Sequence, residues 1–183
     1  KEEFGGEYRR GNERGRIWRV FPKGKKPPMP PLLDDMSPAE LIAALDTPNG
    51  WVRDAIQRHP SVAQLDSDGL SALEKIGNSE NARARATALA IMEPHILFAS
   101  IGHYETIYAD PHPGVRRLAL RIGEELGRVS GRIPREHAKA ILKLRTDPDP
   151  KVRLQFAFTI GEFPADVAGP AIGKMAATDP LAG

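Results

Sequence analysis

Asp110-Pro111-His112-Pro113-Gly114-Val115-Arg116 and Asp147-Pro148-Asp149-Pro150-Lys151-Val152-Arg153 are two copies of one string, and its chemistry is that of a turn between two helices. The aspartate closes one helix, and the proline after it prevents continuation. The second proline falls near the first position of the next helix, where its missing N–H costs nothing. Valine then opens a buried stripe, Val152, Phe156 and Ile160 in one copy and Val115, Ala119, Ile122 and Leu126 in the other, at the spacing of a helix face.

Two further stretches fit the same frame. Thr47-Pro48-Asn49-Gly50-Trp51-Val52-Arg53 matches it closely, and Ser79-Glu80-Asn81-Ala82-Arg83-Ala84-Arg85 is a degraded copy followed by Ala88, Leu89 and Met92. The marker arginines Arg53, Arg85, Arg116 and Arg153 recur about every 31 to 37 residues, the period of a helical-repeat array. An aspartate and an arginine six places apart are not neighbours on one helix. Across the turn, or between stacked repeats, Asp110 and Asp147 are placed to accept from helix N–H groups and from an arginine of the adjacent repeat. The competing reading of Arg53, Arg85, Arg116 and Arg153 is an anion-binding row.

Each string opens the second helix of a pair. The first helices are expected at Ser37 to Leu45, Gly69 to Ile76, part of Ile96 to Tyr108, and Pro134 to Leu144, with a further one at Ala165 to Ala177. Ser37-Pro38-Ala39-Glu40 has the form of a capping box, with serine at the N-cap, proline at N1 and glutamate at N3. Thr178-Asp179-Pro180 reads as the opening of another inter-helix turn, so the last repeat is expected to be truncated. The fold expected is all-α: an α-α superhelix of about four to five helical hairpins over residues 32–183. Trp51 stands where the other copies have Gly114 and Lys151; it is either a surface recognition aromatic or packing for the chain ahead of it.

Residues 1–31 differ. Five prolines in the ten residues Pro22 to Pro31 exclude helix and favour an extended linker. Gly15-Arg16-Ile17-Trp18-Arg19-Val20-Phe21 favours a strand, which needs a sheet beyond this segment to pair with. Hence residues 1–31 are expected to be an extended, Pro-rich linker, with this run as a strand whose sheet the segment does not itself supply.

The totals narrow the chemistry. Charged residues make up 27% of the chain but the formal net charge is only +2, less than a nucleic-acid surface usually carries. The absence of cysteine removes disulfides, thiolate metal sites, cysteine nucleophiles and C-x-x-C-H haem attachment. No apolar run reaches the roughly 18 residues that span a bilayer, so membrane insertion by this segment is not expected. His59, His95, His103, His112 and His137 show no metal-binding spacing; the best local group is His103, Glu105, Asp110 and His112. Glu124 and Glu125 are a conceivable acid–base pair, but exposed helical acids are the plainer reading. There is no nucleophile elbow and no phosphate loop. No catalytic, cofactor or metal residue is therefore assigned, and the chain is expected not to be an enzyme by itself.

The repeated Asp-Pro-x-Pro-x-Val-Arg string resembles HEAT (armadillo-like) repeats, including the phycobilisome-lyase type. More closely, Gly15 to Val20 resembles the closing strand of a β-propeller, and Met36 to Asp54 with Asp110 to Leu120 is similar to the HEAT region of bacterial membrane-bound dehydrogenase and haem-binding domain proteins. That resemblance implies a periplasmic or secreted non-catalytic spacer between an upstream β-propeller and a downstream cytochrome c domain, with haem c in the full-length parent and none in this chain. The alternatives are a free-standing protein-binding solenoid and a DNA-binding HEAT-type protein; nucleic acid is not the expected partner.

Overall fold

A computed structural model describes residues 20, 22–25, 29–96, 106–130 and 135–178. All regular secondary structure among the described residues is helical. The chain divides into two units, Lys1–Pro31 and Leu32–Gly183. The expected strand at Gly15 to Phe21 lies outside the described residues except for Val20, which is exposed and in no regular element.

The second unit holds α1 (Pro38–Ala43), α2 (Gly50–Gln57), α3 (Ser67–Gly77), α4 (Ala82–Ile96), α5 (Pro113–Ser130), α6 (Arg135–Lys143), α7 (Pro150–Gly161) and α8 (Ala165–Thr178). Short 3-10 turns occupy Leu33–Asp35, Pro60–Val62 and Leu144–Thr146, and residues 106–108 form a helical turn ahead of α5. Most of the helix expected between Ile96 and Tyr108 lies outside the described residues.

Local chemistry sets the helix starts. Ser37 Oγ accepts from the Glu40 amide at 3.3 Å while Glu40 accepts from the Ser37 amide at 2.8 Å, so two orphan donors of α1 are satisfied reciprocally. Asp66 caps α3 through the Gly69 amide. Pro150 takes the first position of α7, with Asp149 as its N-cap. The charged Glu40 carboxylate is the better acceptor, and its pKa is lowered by the Ser37 side-chain and backbone hydrogen bonds.

Packing joins neighbours in sequence and helices two apart. Helix α1 packs on α3; α2 packs on α4, α4 on α5, and α5 on α7; α8 closes on α7 and on the Leu144–Thr146 turn. Two buried clusters result. One joins α1 to α4 through Leu41, Ile42, Leu45, Ile56, Leu73 and Ala88. The other joins α4 to α8 through Leu89, Leu120, Ile141, Phe156, Ile160 and Ala171. Helix α4 is the shared wall: Ala84, Ala88 and Ile91 face the first cluster and Leu89 the second, and Met92 touches both. Fully burying a side chain such as Leu41 or Phe156 is worth about 1.5–3 kcal/mol, and the small alanines of α4 let neighbours approach from both sides.

Candidate interaction surface at the inter-helix turns

The four turns share one hydrogen-bonding scheme. Six residues before each marker arginine stands Thr47, Ser79, Asp110 or Asp147. Its side-chain oxygen accepts from the amide two residues on: Asn49 at 3.2 Å, Asn81 at 3.0 Å, His112 at 2.7 Å and Asp149 at 2.9 Å. Each acceptor of that second set caps the helix that follows, taking the amide of Trp51 at 3.1 Å, Arg83 at 3.1 Å, Gly114 at 3.1 Å and Lys151 at 2.8 Å. The string therefore encodes a turn clamp and an N-cap in series.

The arginine closes the turn from the other side. Nη1 of Arg85, Arg116 and Arg153 donates to the carbonyls of Ser79, Asp110 and Asp147 at 2.7, 2.7 and 2.9 Å, and Arg53 donates likewise to Thr47. This bond fixes the side-chain direction and leaves the Nε/Nη2 edge of the guanidinium facing onward. Arg85 spends that edge on Asp110, with Nε and Nη2 at 2.7 and 2.8 Å from the two carboxylate oxygens. Arg116 spends it on Asp147, both bonds at 2.7 Å. These are planar fork-to-fork pairs, the strongest form of charged hydrogen bond. Burial alone would raise the Asp110 pKa, but the Arg85 hydrogen bonds, the His112 amide and the Arg85 charge outweigh it and lower it. The Asp110 and Asp147 bonds raise the pKa of Arg85 and Arg116 respectively.

Between the first two turns the joint is built differently, because Ser79 has no carboxylate to offer Arg53. Asp46 reaches across and accepts from Ser79 Oγ at 3.0 Å and Asn81 Nδ2 at 3.1 Å. Arg53 is itself buried. Trp51 is 64% exposed at the start of α2. Asp110 and Asp147 are buried beneath their arginines, and a groove of about 360 Å³ beside Arg116 runs between the two Asp-Pro turns, floored by Tyr108, Ala140 and Leu144 and rimmed by Lys143.

Other polar residues take roles that one-dimensional reading missed. Glu124, considered as half of an acid pair with Glu125, accepts from Gln155 Nε2 at 2.8 Å and from the Thr159 hydroxyl, tying α5 to α7. Tyr108 Oη lies 2.6 Å from His137 Nε2 and 3.3 Å from the Ala119 carbonyl, all buried. Burial pushes the His137 pKa down to about 4. Gly123 makes room for this pair: a Cβ there would collide with the Tyr108 hydroxyl and sit 3.2 Å from His137 Nε2. Of the His103, Glu105, Asp110 and His112 group, the first two lie outside the described residues, and Asp110 is engaged by the His112 amide and Arg85. Among the described residues no cluster of His, Cys, Asp or Glu is placed to hold a metal ion, and no helix is long and apolar enough to cross a membrane.

Comparison with protein families, curated proteins and solved structures finds no match.

Proposed function

We propose that the chain is a non-catalytic HEAT-type scaffold whose helical hairpins stack as a solenoid and present a surface to protein partners. The observation that carries the reading is the repeated joint, in which Arg85 clamps its own turn and holds Asp110 of the next, and Arg116 does the same with Asp147. An identical link used in succession is how quasi-one-dimensional arrays propagate. The strongest charges of the turn edge are consumed in the framework, while Trp51, Leu154 and Phe158 stand 64%, 58% and 64% exposed. Exposed aromatic and large apolar side chains are the surface chemistry of protein recognition.

The resemblance of Met36 to Asp54 and of the propeller-like Gly15 to Val20 gives the scaffold its proposed setting, a spacer within a propeller–HEAT–cytochrome c redox protein. Crosslinking in cells that carry the gene, followed by reconstitution with the purified partner or neighbouring domain, tests the reading. A saturable one-to-one complex at micromolar affinity or tighter is expected. Failure to reconstitute any protein complex, together with steeply salt-dependent binding to duplex DNA, would replace it.

A further inference from the structure

On the second helix of each pair, the residues one and five places after the marker arginine fall on one face. They are Asp54 and Arg58 on α2, Ala86 and Ala90 on α4, Arg117 and Arg121 on α5, and Leu154 and Phe158 on α7. Arg117 and Arg121 are exposed although both α4 and α7 pack on α5. Stacking therefore leaves this face open. A hairpin laid on α7 through the Asp179-Pro180 turn would leave Leu154 and Phe158 uncovered, as α7 leaves Arg117 and Arg121.

The face changes chemistry between α5 and α7. Arg117 and Arg121 are one helical turn apart, a spacing at which like charges repel. Among the described residues neither has a carboxylate in ion-pair reach, and nearby Glu124 is held by Gln155 and Thr159. On α7 the matching turn is apolar, with Leu154 and Phe158 58% and 64% exposed. Lys151 adds an exposed cation at the start of that helix. The Arg116–Asp147 fork and the Glu124 tie hold α5 and α7 side by side in the same direction. A cationic pair and an apolar pair therefore run along neighbouring helices, about 8–10 Å apart.

We propose that the furrow between α5 and α7 docks an acidic amphipathic helix of a partner protein. Two of its carboxylates, four residues apart, meet Arg117 and Arg121, and an adjoining apolar pair covers Leu154 and Phe158. The inference rests on the scaffold reading and specifies its partner. Charge complementarity selects the occupant, and a helix laid in a furrow reads both pairs at the spacing they have. A second copy does not supply it, because no described helix of this chain carries two acids three or four residues apart. Glu3-Phe4 and Glu7-Tyr8 have the right residue types, but Gly5-Gly6 between them disfavours the helix that would align both pairs. Arg9-Arg10 then follow with the same charge as the site. Nucleic acid fits less well, since phosphates would meet Leu154 and Phe158 on one side of the arginines and the exposed Asp54 farther along the face.

The probe is a fluorescein-labelled helical peptide of about 16 residues repeating Glu-Leu-Ala-Gln, roughly the length of α5, titrated with the full chain. Saturable binding is expected, with Kd on the order of 10–100 µM. Glutamine for each glutamate of the probe should weaken it roughly tenfold, as should Arg117→Glu with Arg121→Glu, or Phe158→Glu, in the chain. The Tm of the chain should be unchanged, because the altered side chains are exposed. The Arg117→Glu, Arg121→Glu chain should in turn bind a probe repeating Lys-Leu-Ala-Gln, a recovery that general loss of structure would not give. Absence of saturable binding up to about 1 mM, equal binding of the glutamate and glutamine probes, or no recovery with the lysine probe overturns the proposal. Tighter binding of a single-stranded oligonucleotide that Arg117→Glu with Arg121→Glu abolishes would assign the furrow to nucleic acid and overturn it. A roughly tenfold gain in probe affinity on Glu3→Lys with Glu7→Lys would assign it to the first residues of this chain and equally overturn it. If a crosslinked partner keeps its full affinity for the Arg117→Glu, Arg121→Glu chain, the scaffold reading stands and only this docking site falls.

Discussion

Gly123 sits inside α5, where helix propensity alone favours alanine by about 1 kcal/mol. The Tyr108 hydroxyl occupies the space a Cβ would need, with His137 Nε2 and Ile141 Cδ1 close behind. Gly123→Ala should therefore destabilise the protein by about 1–3 kcal/mol, as overpacking does. A lowered Tm in thermal unfolding is the expected result, and an unchanged or raised Tm would show that the pocket gives way. His137 makes a second prediction at this scale. Burial holds its folded pKa at about 4, below the ordinary imidazole value of 6.5, so the unfolded chain takes the proton first as pH falls. The stability contributed by the neutral ring is complete above pH 6.5 and is lost progressively from there down to about pH 4, amounting to about 3 kcal/mol at most. His137→Gln should flatten that part of the stability–pH curve; an unaltered slope would mean another group carries it. Asp110 acts in a lower window: its pKa is depressed, so its contribution is present at neutral pH and disappears as pH falls through that depressed value.

At the scale of the element, helix starts were the most legible feature of the chain. Ser37 and Glu40 are three residues apart, and the capping box needs only those residue types at that separation, with Pro38 at N1 as an independent helix-start signal. Replacing Ser37 by Ala should cost about 1 kcal/mol, read as a fall in the urea midpoint with an unchanged m-value. The turn caps were less legible. Asn49, Asn81, His112 and Asp149 do the same job, but a histidine at that place suggests metal binding before it suggests a cap. The tie from Glu124 to Gln155 and Thr159 crosses between α5 and α7, and no local pattern announces a contact more than thirty residues away. On α7 the stripe of Val152, Phe156 and Ile160 has the spacing of a buried face and is buried. Leu154 and Phe158, equally hydrophobic, are exposed on the opposite side, because burial follows position around the helix rather than residue type.

Over the whole molecule, two buried clusters meet at α4, and packing combines neighbours in sequence (α3 with α4, α4 with α5, α7 with α8) with helices two apart (α1 with α3, α2 with α4, α5 with α7). Repetition in the sequence made the helical character readable, since Asp-Pro and Pro-x-Val-Arg impose a turn and a helix wherever they occur. What that repetition does not encode is a ligand. Its residues are consumed in holding the turns, as the paired Arg85 and Asp110 show, while Trp51 and Phe158, which depart from the repeat, stand exposed. The central claim is that the Arg–Asp fork couples one hairpin to the next. A double-mutant cycle on Arg116→Ala and Asp147→Ala, followed by urea unfolding, tests it most directly. A coupling energy of about 2 kcal/mol is predicted, each single change costing nearly as much as both together; losses that add to within about 0.5 kcal/mol would contradict it.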